Sequence, residues 1–185
     1  MIKEPKGDEA KKMSEIGASI GQHILWRETM GKQGQVGIFD NLDLRSAQDL
    51  SDKPLTAFRA KNAVLCGLDL SKSELQGAML TGADMRSCDL QECDLRGINL
   101  KDCKMQWTNL QQADLSPLKL PDGRELWADL SGADLSHADL SGLDLSKVKL
   151  QGANLTDAKL NNTKISPKML PQLILDEQVE VLKQA

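Results

Sequence analysis

The residues of this 185-residue chain that could carry chemistry are four cysteines, two histidines and a large supply of aspartates. Cys66, Cys88, Cys93 and Cys103 would suit zinc or disulfides. No Cys-x-x-Cys pair is present, however, and neither His23 nor His137 lies near them, so no zinc spacing is formed. They read as reduced small hydrophobes, with Cys88, Cys93 and Cys103 turned inward and Cys66 outward. His137 stands close to Ser136 and Asp139, yet neighbours along one outward strand do not make an oriented nucleophile, base and orienting group. Aspartate recurs at a fixed interval, so a carboxylate pair picked from that series implies no acid–base work. These patterns predict a protein that is not an enzyme, with no metal and no cofactor. Recognition is the chemistry left. Trp107 and Trp127 are candidate protein-binding anchors, and Glu74, Asp94, Asp114 and Asp134 a candidate acidic binding column.

The framework that must position these residues has a period of five. Leu65, Leu70, Leu75, Leu80, Met85, Leu90, Leu95, Leu100, Met105, Leu110, Leu115 and Leu120 fall on one phase, which resumes from Leu130 to Ile165 after a break at Glu125. Neither the 3.6-residue repeat of a helix nor the two-residue repeat of a strand buries such a stripe. A fixed period instead indicates a solenoid, in which each unit covers its apolar face by stacking on its neighbours. Two residues before each large apolar residue the side chain is mostly small or apolar, as at Ala63, Ala78, Cys88 and Ala133; one before it is commonly Asp or Asn, as at Asp69, Asp89, Asn109 and Asp129. Pairs such as Ser131-Gly132 and Gln151-Gly152 follow it and suit a tight corner.

Ala113-Asp114-Leu115, Ala133-Asp134-Leu135-Ser136-His137 and Ala153-Asn154-Leu155-Thr156-Asp157 resemble the motif of the pentapeptide-repeat family, and the resemblance runs over residues 63–165. It implies an all-β solenoid, a right-handed quadrilateral β-helix with four pentads per coil. That gives about five coils at the ordinary inter-strand rise of ~4.8 Å. Residues one coil apart should then be vertical neighbours. Glu74, Asp94, Asp114 and Asp134 would form one acidic column, and Trp107 and Trp127 would project together from one face. Both expectations depend on Pro121-Asp122-Gly123-Arg124, a strong turn signal. Residues 121–128 either complete two poor pentads within the wall or include a five-residue outward loop, which would move every later pentad by one face. With such a loop, Trp127 could pack back onto Trp107.

The flanks depart from the repeat. Within residues 1–37, Met13, Ile16, Ile20 and Ile24 predict an amphipathic helix, weakened by Gly17 and Gly21 unless that face lies close against something. The helix is followed by a flexible linker, GKQGQVG, that lacks Walker spacing. Residues 38–62 are irregularly apolar and predict an N-terminal cap. In residues 166–185, Pro167 and Pro171 offer helix starts, and Leu173, Ile174, Leu175, Val179 and Leu182 form an apolar stripe. This reads as a C-terminal capping helix, with Leu173, Leu175, Val179 and Leu182 as a dimer contact if the chain is a homodimer.

A net charge of −4 and the absence of a long apolar run predict no membrane span and no direct nucleic-acid binding. Cytoplasmic location follows, with delivery by a specialised secretion system left open. The residues favour a non-enzymatic scaffold presenting rigid faces to a partner protein. The resemblance adds two other roles: a secreted bacterial effector acting on a host partner, and a DNA mimic that binds DNA gyrase in topoisomerase-inhibitor resistance. Gyrase-binding members favour Phe on the repeat phase and strong acidity, where this chain has Leu.

Overall fold

The structure, a computed structural model, describes residues 7–47 and 50–175. Each pentad contributes one short parallel bridge and then turns a corner. Successive bridges Asp69↔Asp89, Glu74↔Asp94, Met79↔Asn99 and Asp84↔Lys104 join residues one turn apart and make the column four-sided. The N–H of most large apolar residues in the column donates to the rung above: Leu65 to the Asp84 carbonyl at 2.8 Å and Leu70 to that of Asp89 at 2.9 Å. The corner closes when the small residue three positions on donates back, as Ala78 does to Leu75 at 3.0 Å. Such a turn holds its third residue at positive φ, which glycine adopts freely. Gly77 and Gly97 occupy that position at φ +63° and +65°. The large and small side chains of each pentad, from Leu65 and Ala78 to Leu155, fill one continuous core.

Three segments differ from the sequence reading. Residues 38–62 are not an irregular lid but already wind in the column: Ile38 bridges Arg59, Asp43 bridges Val64 and Pro54 bridges Glu74, with Phe39, Leu44, Leu50, Leu55 and Ala60 inward. An extra residue between Leu44 and Leu50 shifts the phase and hides the period.

The second difference lies at residues 116–127, and neither expected alternative is realised. Rungs beyond this segment pair across ten more residues than before: Asn99↔Asp129, Lys104↔Asp134 and Asn109↔Asp139. Two pentads' worth of chain has left the wall as a hairpin, in which β1 (Leu118–Lys119) pairs antiparallel with β2 (Glu125–Leu126). The Pro-Asp-Gly turn closes it, with Leu120 N–H donating to the Arg124 carbonyl at 2.9 Å. The hairpin lies back on the wall at Gly97, where a β-carbon would stand 2.9 Å from Leu118 Cβ and 3.0 Å from Leu126 Cδ2.

At the C-terminal end, residues 166–175 do not form the expected helix. A single 3-10 turn, Leu170–Gln172, uses Pro171 near its start. Ile174 then bridges Asn154 as a further rung, and Leu155 N–H donates to its carbonyl at 2.8 Å. Leu173 and Leu175 alternate with exposed Ile174 and pack on the column core, the two-residue period of a strand. Val179 and Leu182 lie outside the described residues.

The expected N-terminal helix is present as α1 (Gly7–Glu28). Ile16 and Ile20 join the core cluster containing Phe39, and Ile24 packs beside them. Nothing lies within 4 Å of where a β-carbon on Gly17 or Gly21 would be, so neither glycine serves a close approach.

Candidate interaction surface

The corner aspartates act locally. The carboxylates of Asp69, Asp89, Asp129 and Asp134 accept the backbone N–H two residues on, at 2.9–3.1 Å. This Asx-type bond shapes the turn. Partial burial opposes ionisation of Asp139, but donors from Ser141 and Gln111, with Lys159 at 3.3 Å, outweigh it and hold the carboxyl down at about 2.

The four acidic residues expected in one column are not brought together. Glu74, Asp94 and Asp114 do stack, but Asp134 sits over Lys104 because the hairpin advances the register by half a turn. The three that stack are also engaged by cations. Arg96 grips Asp94 at 2.6 Å and reaches Asp114 at 3.7 Å, while Arg27 of α1 lies 3.6 Å from Glu74.

The same shift separates the tryptophans. No ring contact joins Trp107 to Trp127. Trp107 instead stacks on His137, with centroids 4.1 Å apart and planes 7° from parallel, and His137 Nδ1 lies 3.5 Å from Asp157. Trp107 is 63% exposed. Its backbone is held at φ +64°, in the corner position that Gly67 fills two rungs below. A bulky side chain in the left-handed region is uncommon and costs about 1–2 kcal/mol. The free face of Trp107 walls an open groove of about 550 Å³ formed with Cys66, Gly67, Arg86, Ser87 and Gln106. Trp127 stands 39% exposed where the hairpin rejoins the wall. Sequence reasoning missed His137 as the stacking partner because the pairing spans 30 residues, not 20. The Pro-Asp-Gly turn was the available signal.

The inward cysteines have a structural task. Cys88, Cys93 and Cys103 donate Sγ–H to the carbonyls of Leu65, Leu70 and Leu80 at 2.9–3.1 Å. Thr108 does the same to Met85 with its hydroxyl. Burial pushes the Cys88 and Cys103 thiols up to about 12 and that of Cys93 to about 11. The described residues hold no cluster of metal-ligating side chains.

The family model for pentapeptide repeats matches in eight copies, over residues 55–86, 80–116 and 127–166. The chain is a member of the pentapeptide-repeat family. Pentapeptide-repeat proteins fold as right-handed quadrilateral β-helices, and the break in the match falls on the hairpin. Among solved structures, this pentapeptide-repeat protein is similar to Rfr23 from the cyanobacterium Cyanothece, at 24% identity over 64% of this chain and 60% of that one, with a TM-score of 0.32. It is similar to HetL from Nostoc, a protein involved in heterocyst differentiation regulation, at 29% identity over 68% and 58%, with a TM-score of 0.26. QnrB1, a plasmid-mediated fluoroquinolone resistance protein, is similar at 16% identity over 78% and 83%, with a TM-score of 0.40. The chain thus spans about three fifths of the length of Rfr23 and HetL. None of the curated proteins matches it. No described helix is long and apolar enough to cross a membrane.

Proposed function

We propose that this pentapeptide-repeat protein is a non-enzymatic scaffold that binds a partner protein through the face carrying Trp107 and His137. The supporting observation is the stacked, solvent-facing pair itself. A large aromatic ring is fixed on a rigid wall at a corner position where glycine would be easier, so its surface is offered at little further entropic cost. Trp127 and the hairpin, half a turn round the column at the Gly97 corner, offer a second and separate point of contact.

The gyrase-binding reading draws less support, since Arg96 and Arg27 offset the acidic column and Asp134 stands elsewhere. A homodimer held by the C-terminal stripe is left with Val179 and Leu182, because Leu173 and Leu175 serve their own column.

Affinity capture from the source organism with the parent chain, Trp107→Ala and His137→Ala tests the scaffold reading. Truncating a central aromatic anchor should cost about 2 kcal/mol or more of affinity. A partner held equally by parent and Trp107→Ala sinks the assignment of this face.

A further inference from the structure

The loop that joins α1 to the column turns back along the helix rather than away from it. Gln35 N–H donates to the Gln22 carbonyl at 3.2 Å. Gly34, at φ +73°, passes so close that a β-carbon would stand 2.2 Å from that same carbonyl oxygen. The loop ends on a side chain: Gly37 N–H donates to Nδ1 of His23 at 3.0 Å. His23 is completely buried. Its ring meets Phe58 edge-on at 5.6 Å and Trp26 at 5.8 Å, and Phe58 stacks on Phe39 at 4.7 Å. An imidazole that accepts an N–H at Nδ1 carries its own proton on Nε2 and is neutral. Here Nε2 makes no hydrogen bond.

The geometry points to α1 being an acid-released strap: protonation of His23 removes the acceptor for Gly37 and buries a cation, freeing α1 and uncovering the Phe39–Phe58 end of the column. The surroundings oppose a charged imidazole. Burial lowers its proton affinity most and outweighs the opposing pull of the Leu55 backbone; Arg27, one turn on, adds repulsion, and the Thr56 backbone opposes it least. From the column, Glu74 faces Arg27, and Arg59 is engaged with Asp40 beside the Phe stack. The loop's own cation, Lys32, is exposed. Among the described residues no carboxylate lies within ion-pair reach of the ring to hold an imidazolium in place.

The sign follows from the lowered affinity. Docked α1 keeps His23 neutral, whereas a free histidine titrates near about 6.5. Docking is therefore fully favoured above that value and weakens as pH falls below it. Column carboxylates such as Asp139, held down at about 2, stay ionised throughout this window, so the strap opens while the column stands.

The test uses the full chain with Trp107→Phe and Trp127→Phe, which leaves Trp26 as the reporter beside His23. From pH 7.5 to 5.0, Trp26 emission should shift to the red and α1 should become protease-sensitive, while amides of the Leu70–Leu110 rungs stay protected from exchange. Adding His23→Phe should abolish the pH response. In the parent chain, the His23 ring resonance should titrate together with the Trp26 change. The strap is overturned if Trp26 emission and protease sensitivity match at both pH values. It is equally overturned if His23→Phe responds as before, or if His23 titrates with α1 still docked.

Discussion

Trp107 combines a backbone penalty with a side-chain gain, and the two are of similar size. Its left-handed corner conformation costs about 1–2 kcal/mol, whereas an aromatic stack such as that with His137 contributes about 0.5–1.5 kcal/mol. Trp107→Gly should therefore change the melting temperature little while abolishing partner binding. A large loss of stability on thermal denaturation would show that the ring has a structural role instead. Inward residues should behave in the opposite way. Leu95 and Leu135 are fully buried on the repeat phase, and an aspartate at either would bury an unpaired carboxylate at a cost of several kcal/mol. Leu95→Asp or Leu135→Asp melting like the parent would contradict the inward assignment. The roles of these residues were legible because the period alone determines which way a side chain points. The stacking partner of Trp107 was not, since vertical neighbours depend on how many residues separate successive turns.

The helix α1 and the hairpin show where local pattern was sufficient and where it was not. The spacing of Ile16, Ile20 and Ile24 located the helix, but their sequence could not say that Gly17 and Gly21 face open space. Because they do, Gly17→Ala and Gly21→Ala should each stabilise α1 by about 0.5–1 kcal/mol, measurable as a higher melting temperature or slower exchange of α1 amides. Gly97 gives the contrasting outcome. Its positive φ and its closeness to Leu118 and Leu126 mean that Gly97→Val should lift the hairpin off the wall, detectable as faster exchange of the Leu118–Leu126 amides. Residues 38–62 and 166–175 were misread for different reasons. A single extra residue between Leu44 and Leu50 breaks the visible phase in the first, whereas Leu170 and Leu175 keep it in the second and two prolines suggested a helix start instead. Ile38↔Arg59 and Asn154↔Ile174 pair all the same.

At the scale of the whole molecule, stability should fall in two separate steps as acid is added. Asp40, Asp43 and Asp84 are held below the ordinary carboxylate range, chiefly by hydrogen bonds from Arg59, Arg45 and Arg86, and Asp139 stands at about 2. A carboxyl lowered in the folded chain contributes stability above its free value, near about 3.9, and loses that contribution as pH drops through the folded one. Column unfolding, followed by circular dichroism, should consequently begin only below about pH 4, well after any change at α1. Coincident transitions would mean that helix and column form one cooperative unit.

The hairpin's length carries an evolutionary and practical consequence. Ten residues are two whole pentads, so the chain re-enters the wall in phase and every later leucine still points inward. Because the excursion leaves and re-enters at one corner, the rungs before and after it meet as they would without it, and only the sequence separation between vertical neighbours lengthens from 20 residues to 30. The length of such an excursion therefore leaves both the interior and the stacked exterior neighbours as they were. Replacing residues 116–127 with Ser-Gly would return the corner to its ordinary length and leave Trp107 above the same His137, only without the excursion between them. The column therefore has a natural splice point at which foreign loops could be exchanged and a new surface combination produced without redesigning a single buried side chain.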